Sequence, residues 1–285
     1  MYLLAPVPAV SIGLFIASEL GGGAGRLGFI AACAAIGSLI VLAAGRVRPT
    51  PERQPPPTRA MTWVAGGALA ATASTLIHPG WEGVYRWVEL GPVALHASLL
   101  LTPLVLLSGW RLAHAGRPMV GLGLVTALQI VHLAQPDAAQ ASGVAVAVAI
   151  GAITARVSAG AAQRLSVGIG AALLAALTWF RPDPLVGTVG VEKVVHTAFD
   201  LSPAIGFATV AALCALLVPF LMGRRPAQAG LPSASTLLAG YLAGVLLAAQ
   251  FGDFPVLVVG YGASTMLGYY AAAAAAVWRT RASGH

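Results

Sequence analysis

Charge is what this sequence has least of. Only 9% of its 285 residues are Asp, Glu, Lys or Arg, where a soluble domain carries about a quarter, and its mean hydropathy is +0.84. That shortage argues against a soluble globular domain and for an integral membrane protein. Apolar runs of about 17 to 25 residues recur along the chain, each long enough to cross a hydrocarbon core about 30 Å thick as a helix. Cysteine is nearly missing too: Cys33 and Cys214 both fall inside apolar runs, which reads as two small buried hydrophobes and not as a disulfide or metal pair. The opening "MYLLAPVPAVSIGLFIASEL" has no basic n-region and no Ala-x-Ala site, so it reads as a retained first helix and not a cleaved signal. No Walker loop, nucleotide-binding glycine fingerprint or Gly-x-Ser-x-Gly elbow occurs, so ATP-driven and serine-hydrolase chemistry lack support. His96 and His196 lie whole helices apart without metal-ligand spacing, and no zinc site is expected.

What is present is ten apolar spans, near 3–20, 27–45, 61–78, 90–110, 118–135, 142–160, 165–180, 203–222, 234–251 and 255–278. The fold class expected is therefore an all-α polytopic membrane protein. The segments between the spans alternate in character. Arg46, Arg48, Arg53, Arg59, Arg111, Arg117, Arg156, Arg164, Arg224, Arg225, Arg279 and Arg281, 12 of the 16 basic residues, collect on one side. By the positive-inside rule that side is the cytoplasm, which puts both termini inside. Glu19, Glu82, Glu89, Asp137, Asp183, Glu192, Asp200 and Asp253 fall on the opposite side or its interface, and only Glu52 lies inside. The net charge of +7 is thus a topology signal and no argument for nucleic acid.

A single transmembrane domain over 1–285 is expected, with a proline-rich cytoplasmic linker over 46–60. Small residues in "AACAAIG", "AGGALAATAS" and "AAAAAAV" fit close helix packing in lipid. Polar groups at membrane depth cost several kcal/mol unless paired or hydrated, which makes each a functional suspect. On the fifth span Gln129, His132 and Gln135 form one helical stripe running into Pro136 and Asp137. The plain reading of that stripe is interhelical hydrogen bonding. The outer segment 181–203 carries Arg181, Asp183, Glu192, Lys193 and Asp200 between two apolar runs, so outer-face carboxylates are the best candidates for any chemistry.

Several stretches resemble the FtsW/RodA/SpoVE family, the SEDS cell-wall polymerases. "WEGVYRWVELGPVALHAS" resembles the family's Asn-Gly-Ala-x-Arg-Trp-Ile-x-Leu-Gly and following Gln-Pro-Ser-Glu, through Gly83, Arg86, Trp87, Leu90, Gly91 and Ser98. "QPDAAQASGV" resembles Gln-Pro-Asp-x-Gly-Thr through Gln135, Pro136 and Asp137. "DFPVLVVGYGAST" resembles Leu-Pro-Leu-Pro-Phe-Ile-Ser-Tyr-Gly-Gly-Ser-Ser through Pro255, Tyr261, Gly262 and Ser264. The matches come in family order from about residue 80 to the end.

The resemblance implies sugar transfer from a polyprenyl-pyrophosphate-linked saccharide on the outer face of a bacterial cytoplasmic membrane, beside a single-span transpeptidase or a division-complex partner. The segment 181–203 then stands where the family has a large outer loop bearing a His-Thr-Asp-Phe motif, whose Asp is the proposed catalytic base. Two registers compete. Matching by eye puts Ala198 at the Asp; matching without gaps back from the next helix puts Glu192 there and Asp200 at the first of two paired glutamates. A helix start is harder to shift than a loop, which favours Glu192. A carboxylate there would take the proton of an acceptor hydroxyl as it attacks the donor anomeric carbon. The resemblance makes Arg86, Trp87, Asp137, Gln135, Lys193, Asp200, Tyr261 and Ser264 substrate-binding candidates. The leaving pyrophosphate calls for positive charge, from Arg86 first, with Arg181 or Lys193 behind it, or from a divalent cation as cofactor. Two departures stand out: the family's cavity Glu and Lys fall at Leu99 and Thr102, and the outer loop is short. They leave a non-catalytic relative that scaffolds or regulates such a complex as the alternative, with a lipid or small-solute transporter behind it.

Overall fold

Proline and short polar side chains mark where the helices begin. The computed structural model describes residues 1–46, 58–91, 93–154, 161–223 and 233–282. In chain order these form α1 (Pro6–Glu19), α2 (Ala24–Arg46), α3 (Thr58–Ala73), a 3-10 turn (Ser74–Ile77), β1 (Trp87–Leu90), β2 (Val93–His96), α4 (Ala97–His114), α5 (Pro118–Ala134), α6 (Ala138–Thr154), α7 (Ala161–Trp179), α8 (Val194–Leu201), α9 (Pro203–Met222), α10 (Ala234–Ala248) and α11 (Ala263–Ala282). Helices α1, α5 and α9 start on proline, whose missing N–H costs nothing in a first turn. Ser202 caps α9 by accepting from the Ile205 N–H at 3.2 Å, and Asp137 caps α6 by accepting from the Gln140 N–H at 3.3 Å.

The result is an all-α polytopic membrane fold. Among the described residues three helical stretches, Ala24–Arg46, Thr58–Ile77 and Pro203–Met222, are long and apolar enough to cross a membrane by length and composition, and six shorter apolar helices accompany them. Helices α6 and α10 meet backbone to backbone: a Cβ on Gly244 would lie 2.8 Å from the Gly143 Cα. Small residues thus permit the close approach that lipid-immersed helices depend on.

Three stretches depart from the expected spans. The fourth span starts at Ala97 and not near 90, because Trp87–His96 is an antiparallel hairpin pairing Trp87 with His96 and Glu89 with Ala94. Gly91, at φ 62, supplies the left-handed turn residue the hairpin needs. The last helix starts at Ala263 and not near 255; residues 252–262 form an irregular hook, and Pro255 has no N–H with which to continue a ladder. At its centre Val258 has φ 66, and the Val259 N–H donates to the Leu257 carbonyl at 2.8 Å, a three-residue turn that a β-branched residue adopts only under strain. The outer segment 181–203 holds the short helix α8, whose eight residues rise about 12 Å, too little to cross a membrane. We call the irregular stretch 182–193 that precedes it the strap.

Cys33 is buried on α2, as expected, but Cys214 is exposed on α9. In a bilayer an outward-facing residue still meets an apolar solvent, so an apolar run does not imply burial in protein. Most of the proline-rich linker over 46–60 lies outside the described residues.

Candidate functional site

Arg86 sits at the end of the bundle opposite the basic connections, immediately before β1, with only 1% of its side chain exposed. A guanidinium so buried needs acceptors. Its Nη2 donates to the Asp183 carboxylate of the strap and to the carbonyl of Pro136, in the turn between α5 and α6. The Phe254 ring of the hook lies under the guanidinium at 4.8 Å, and Trp87 flanks it at 5.8 Å. Three segments remote in sequence from Arg86 therefore meet at its guanidinium. Its Nε has no hydrogen-bond partner among the described residues.

Asp137 lies beside it, fully buried. Its Oδ1 caps α6, while its Oδ2 has no hydrogen-bond partner among the described residues and faces His96 Nε2 at 3.5 Å. His96 closes the circle: its Nδ1 accepts from the Leu99 N–H at 3.4 Å, and its own N–H donates to Ser264 Oγ at 2.7 Å. Ser264, in the first turn of α11, thereby fastens the hairpin to the last helix. Trp87 stacks on Trp81 with ring centroids 4.7 Å apart, and the Trp81 indole N–H donates to Glu89 at 2.9 Å.

Glu192 occupies a second cluster, at the far end of the strap. It is half-buried, and its Oε2 accepts from the Thr188 N–H at 2.9 Å. Burial pushes its carboxyl above the usual glutamate range, partly offset by the hydrogen bonds from Thr188; the nearby Asp253 pushes in the same direction as burial. Two backbone hydrogen bonds staple this end of the strap to the hook, Val256 N–H to Val191 O and Tyr261 N–H to Gly190 O, both 3.2 Å. Lys193 Nζ stands 3.6 Å from Asp253. The Tyr261 ring packs against Gly190, where it leaves no room for a Cβ, and lies under the Arg26 guanidinium at 4.7 Å. The two clusters are joined through the strap and hook.

Gln135 is fully consumed by scaffolding. Its Nε2 donates to Thr72 O at 3.0 Å and Thr75 Oγ1 at 2.6 Å, and its Oε1 accepts from Ser98 at 2.9 Å. Gln129 and His132 behave as the plain reading of their stripe expects: the Gln129 Nε2 donates to the carbonyls of Ala141 and Ala171, and His132 pairs with Thr102 at 3.3 Å. Asp200 lies exposed on α8, and Ala198 is buried on the other face of that helix. Sequence reasoning missed Phe254 and Arg26 altogether. It counted Asp183 and Asp253 only as outer charges, and set His96 aside for lack of metal spacing.

No group of three or more His, Cys, Asp or Glu side chains is placed to hold a metal ion among the described residues.

No protein-family model matches the chain, and no curated protein sequence matches it. Solved structures do match. The crystal structure of the Thermus thermophilus rod shape determining protein RodA aligns with a TM-score of 0.66 at 18% identity, covering 100% of this chain and 97% of that one. A mutant of the same protein aligns with a TM-score of 0.65 at 18% identity and the same coverage. A structure reported under the description "structural coordination of polymerization and crosslinking by a peptidoglycan synthase complex" gives 0.61 at 17% identity, covering 100% and 98%. Identities of this size speak for architecture, and the architecture of this chain, from the first helix to the last, is the RodA fold.

Proposed function

We propose that this chain is a SEDS-like membrane protein of bacterial cell-wall synthesis that transfers a sugar from a polyprenyl-pyrophosphate-linked donor at the outer face of the cytoplasmic membrane. The observation that supports it most is the meeting at Arg86. The Gln-Pro-Asp turn, the hook and the strap were each matched to a family segment by sequence alone, and all three touch the guanidinium that the hairpin segment carries.

In this reading Glu192 is the general base, its carboxyl raised above the ordinary glutamate value by burial. Arg86, with Lys193 behind it, supplies the positive charge for the pyrophosphate. Trp87 and Tyr261 offer aromatic faces to sugar rings, and Asp200 lies on the exposed rim. Asp137, Gln135 and Ser264 act as positioning residues, since their polar atoms already hold the turn, the hairpin and α11 in place. The ligands are membrane lipid and a polyprenyl-linked saccharide, and a single-span transpeptidase is the partner. One structure with the same fold belongs to a complex that coordinates polymerization and crosslinking, which supports a partner of that kind.

A second reading, a non-catalytic scaffold or regulator of a division or elongation complex, draws on Leu99 and Thr102. Both are buried where the family pattern has charges, and Thr102 is spent on His132. Purified protein in nanodiscs, given a radiolabelled polyprenyl-pyrophosphate-linked sugar with and without a transpeptidase partner, separates the two. Product from wild type and a loss of 100-fold or more with Glu192→Gln supports transfer, since positioned bases contribute about 10²–10⁴. Unchanged cellular function with Glu192→Gln, and no product under any condition, supports the scaffold.

A further inference from the structure

Arg86 is sealed from below by the bundle, yet its carboxylate partner arrives from the outside. Asp183 is 20% exposed and lies on the strap, against 1% for Arg86. The strap is fastened firmly at one end only. Residues 188–193 are tied to the hook and to themselves through Glu192, Gly190, Val191 and Lys193. Over 182–187, hydrogen bonds to the rest of the chain run only through Asp183 among the described residues, and Val186 is 84% exposed. The Arg86 Nε is buried and has no hydrogen-bond partner among the described residues. A carboxylate reaching Nη2 alone leaves that N–H unused. A diphosphate, with more oxygens and more charge, can take both edges of the fork.

We propose that Asp183 is a built-in stand-in for the ligand: it occupies an anion site at Arg86 and keeps the site shut until a polyprenyl pyrophosphate displaces it. The proposal rests on the transferase reading for the ligand's chemistry and adds to it a regulated, self-occluded state. The Asp183 stretch is the lid, the Arg86–Asp183 pair is its latch, and the stapled Glu192 end stays in place while the lid swings. Opening of this kind costs the ligand apparent affinity in proportion to the fraction of molecules already open. A weakened latch recovers it.

The test uses the full chain in nanodiscs with farnesyl pyrophosphate as the probe, and inorganic pyrophosphate and farnesol as the other arms. With Asp183→Asn, farnesyl pyrophosphate binds about tenfold more tightly than to wild type, as for an open fraction near one in ten. Farnesol binding does not change, and Asp183→Glu stays near wild type. Arg86→Lys in the Asp183→Asn background loses the gain, because an ammonium cannot present two edges. If inorganic pyrophosphate gains equally, the site reads free diphosphate and not the lipid-linked form. No gain with Asp183→Asn, or a gain that survives Arg86→Lys, overturns the proposal.

Should Asp183→Asn fail to fold, a bimane label at Val186→Cys, with Cys33 and Cys214 replaced by Ala, keeps Asp183 intact. Its emission shifts with farnesyl pyrophosphate and not with farnesol, and an unchanged spectrum at saturating ligand overturns the proposal. Binding is read without turnover, so the two claims fail separately. Tighter binding by Asp183→Asn in a protein that makes no product removes the transferase and keeps the latch, whereas Glu192-dependent product with no gain removes the latch alone.

Discussion

A guanidinium held away from water depends on every acceptor it has. Removing one partner of a buried pair leaves an uncompensated charge and costs about 3–5 kcal/mol, so Arg86→Leu, which strands Asp183 and the Pro136 carbonyl, lowers the thermal unfolding temperature measured in detergent. Gln135→Leu does the same by a different route. It orphans the Ser98 hydroxyl, at about 1–3 kcal/mol for a group left unsatisfied, and takes a donor from Thr75 Oγ1 and Thr72 O, which keep their own hydrogen bond. A Gln135 variant that keeps full stability contradicts the scaffolding role assigned to it. At this scale the sequence was legible for one half of each contact. Arg86, Asp137 and Gln135 stood out because polar groups are costly in an apolar chain, but Asp183 is 97 residues from Arg86, and no spacing rule pairs them. His96 was set aside because metal spacing was the pattern sought, and its actual work is capping α4 and facing Asp137.

Strap, hook and hairpin carry the candidate site, and the helices hold them at one end of the bundle. Packing of α6 on α10 admits no side chain where Gly143 and Gly244 touch: a Cβ on Gly143 would lie 2.6 Å from Val245 Cγ2 and 2.8 Å from the Tyr241 carbonyl. Gly244→Leu is expected to cost about 1–3 kcal/mol or more by overpacking, seen as early thermal unfolding, whereas Gly170→Leu on α7, where a Cβ meets open space, is tolerated. Gly190→Val drives the Tyr261 ring off the strap and is expected to lower transfer activity without unfolding the bundle, which circular dichroism alongside the activity assay resolves. The hairpin and hook were invisible to a hydropathy reading, since Trp87–His96 and 252–262 are as apolar as the spans they adjoin and short apolar runs do not declare their period. Helix α8 was legible and overlooked. "VVHTAFDL" puts Val194, Val195, Thr197 and Ala198 on a buried face and His196, Phe199 and Asp200 on an exposed one.

Across the whole molecule, the recurrence of apolar runs and the one-sided placement of arginines disclosed an all-α polytopic fold before any coordinates, because bilayer thickness and loop charge act on composition directly. Closure of the site could not be read that way, since it depends on which ends of which helices lie together. The topology makes its own prediction: a membrane-impermeant maleimide labels Val186→Cys from outside intact cells and reaches Arg117→Cys only after permeabilisation, and the reverse pattern contradicts the orientation. The central claim is that Glu192 is a base whose carboxyl is raised by burial. The sign of the pH effect follows. A carboxyl raised on folding favours the folded state below its unfolded value and loses that contribution as pH rises through the folded one, whereas a base works only once its proton has left. Activity therefore climbs across the pH range in which Glu192's own stability contribution disappears. The most direct test is kcat/KM for sugar transfer against pH, in wild type and in Glu192→Asp and Glu192→Gln. The account predicts an acid limb centred above the ordinary glutamate value in wild type, a displaced limb with Glu192→Asp and a flat residual rate with Glu192→Gln; the same limb in all three proteins would contradict it.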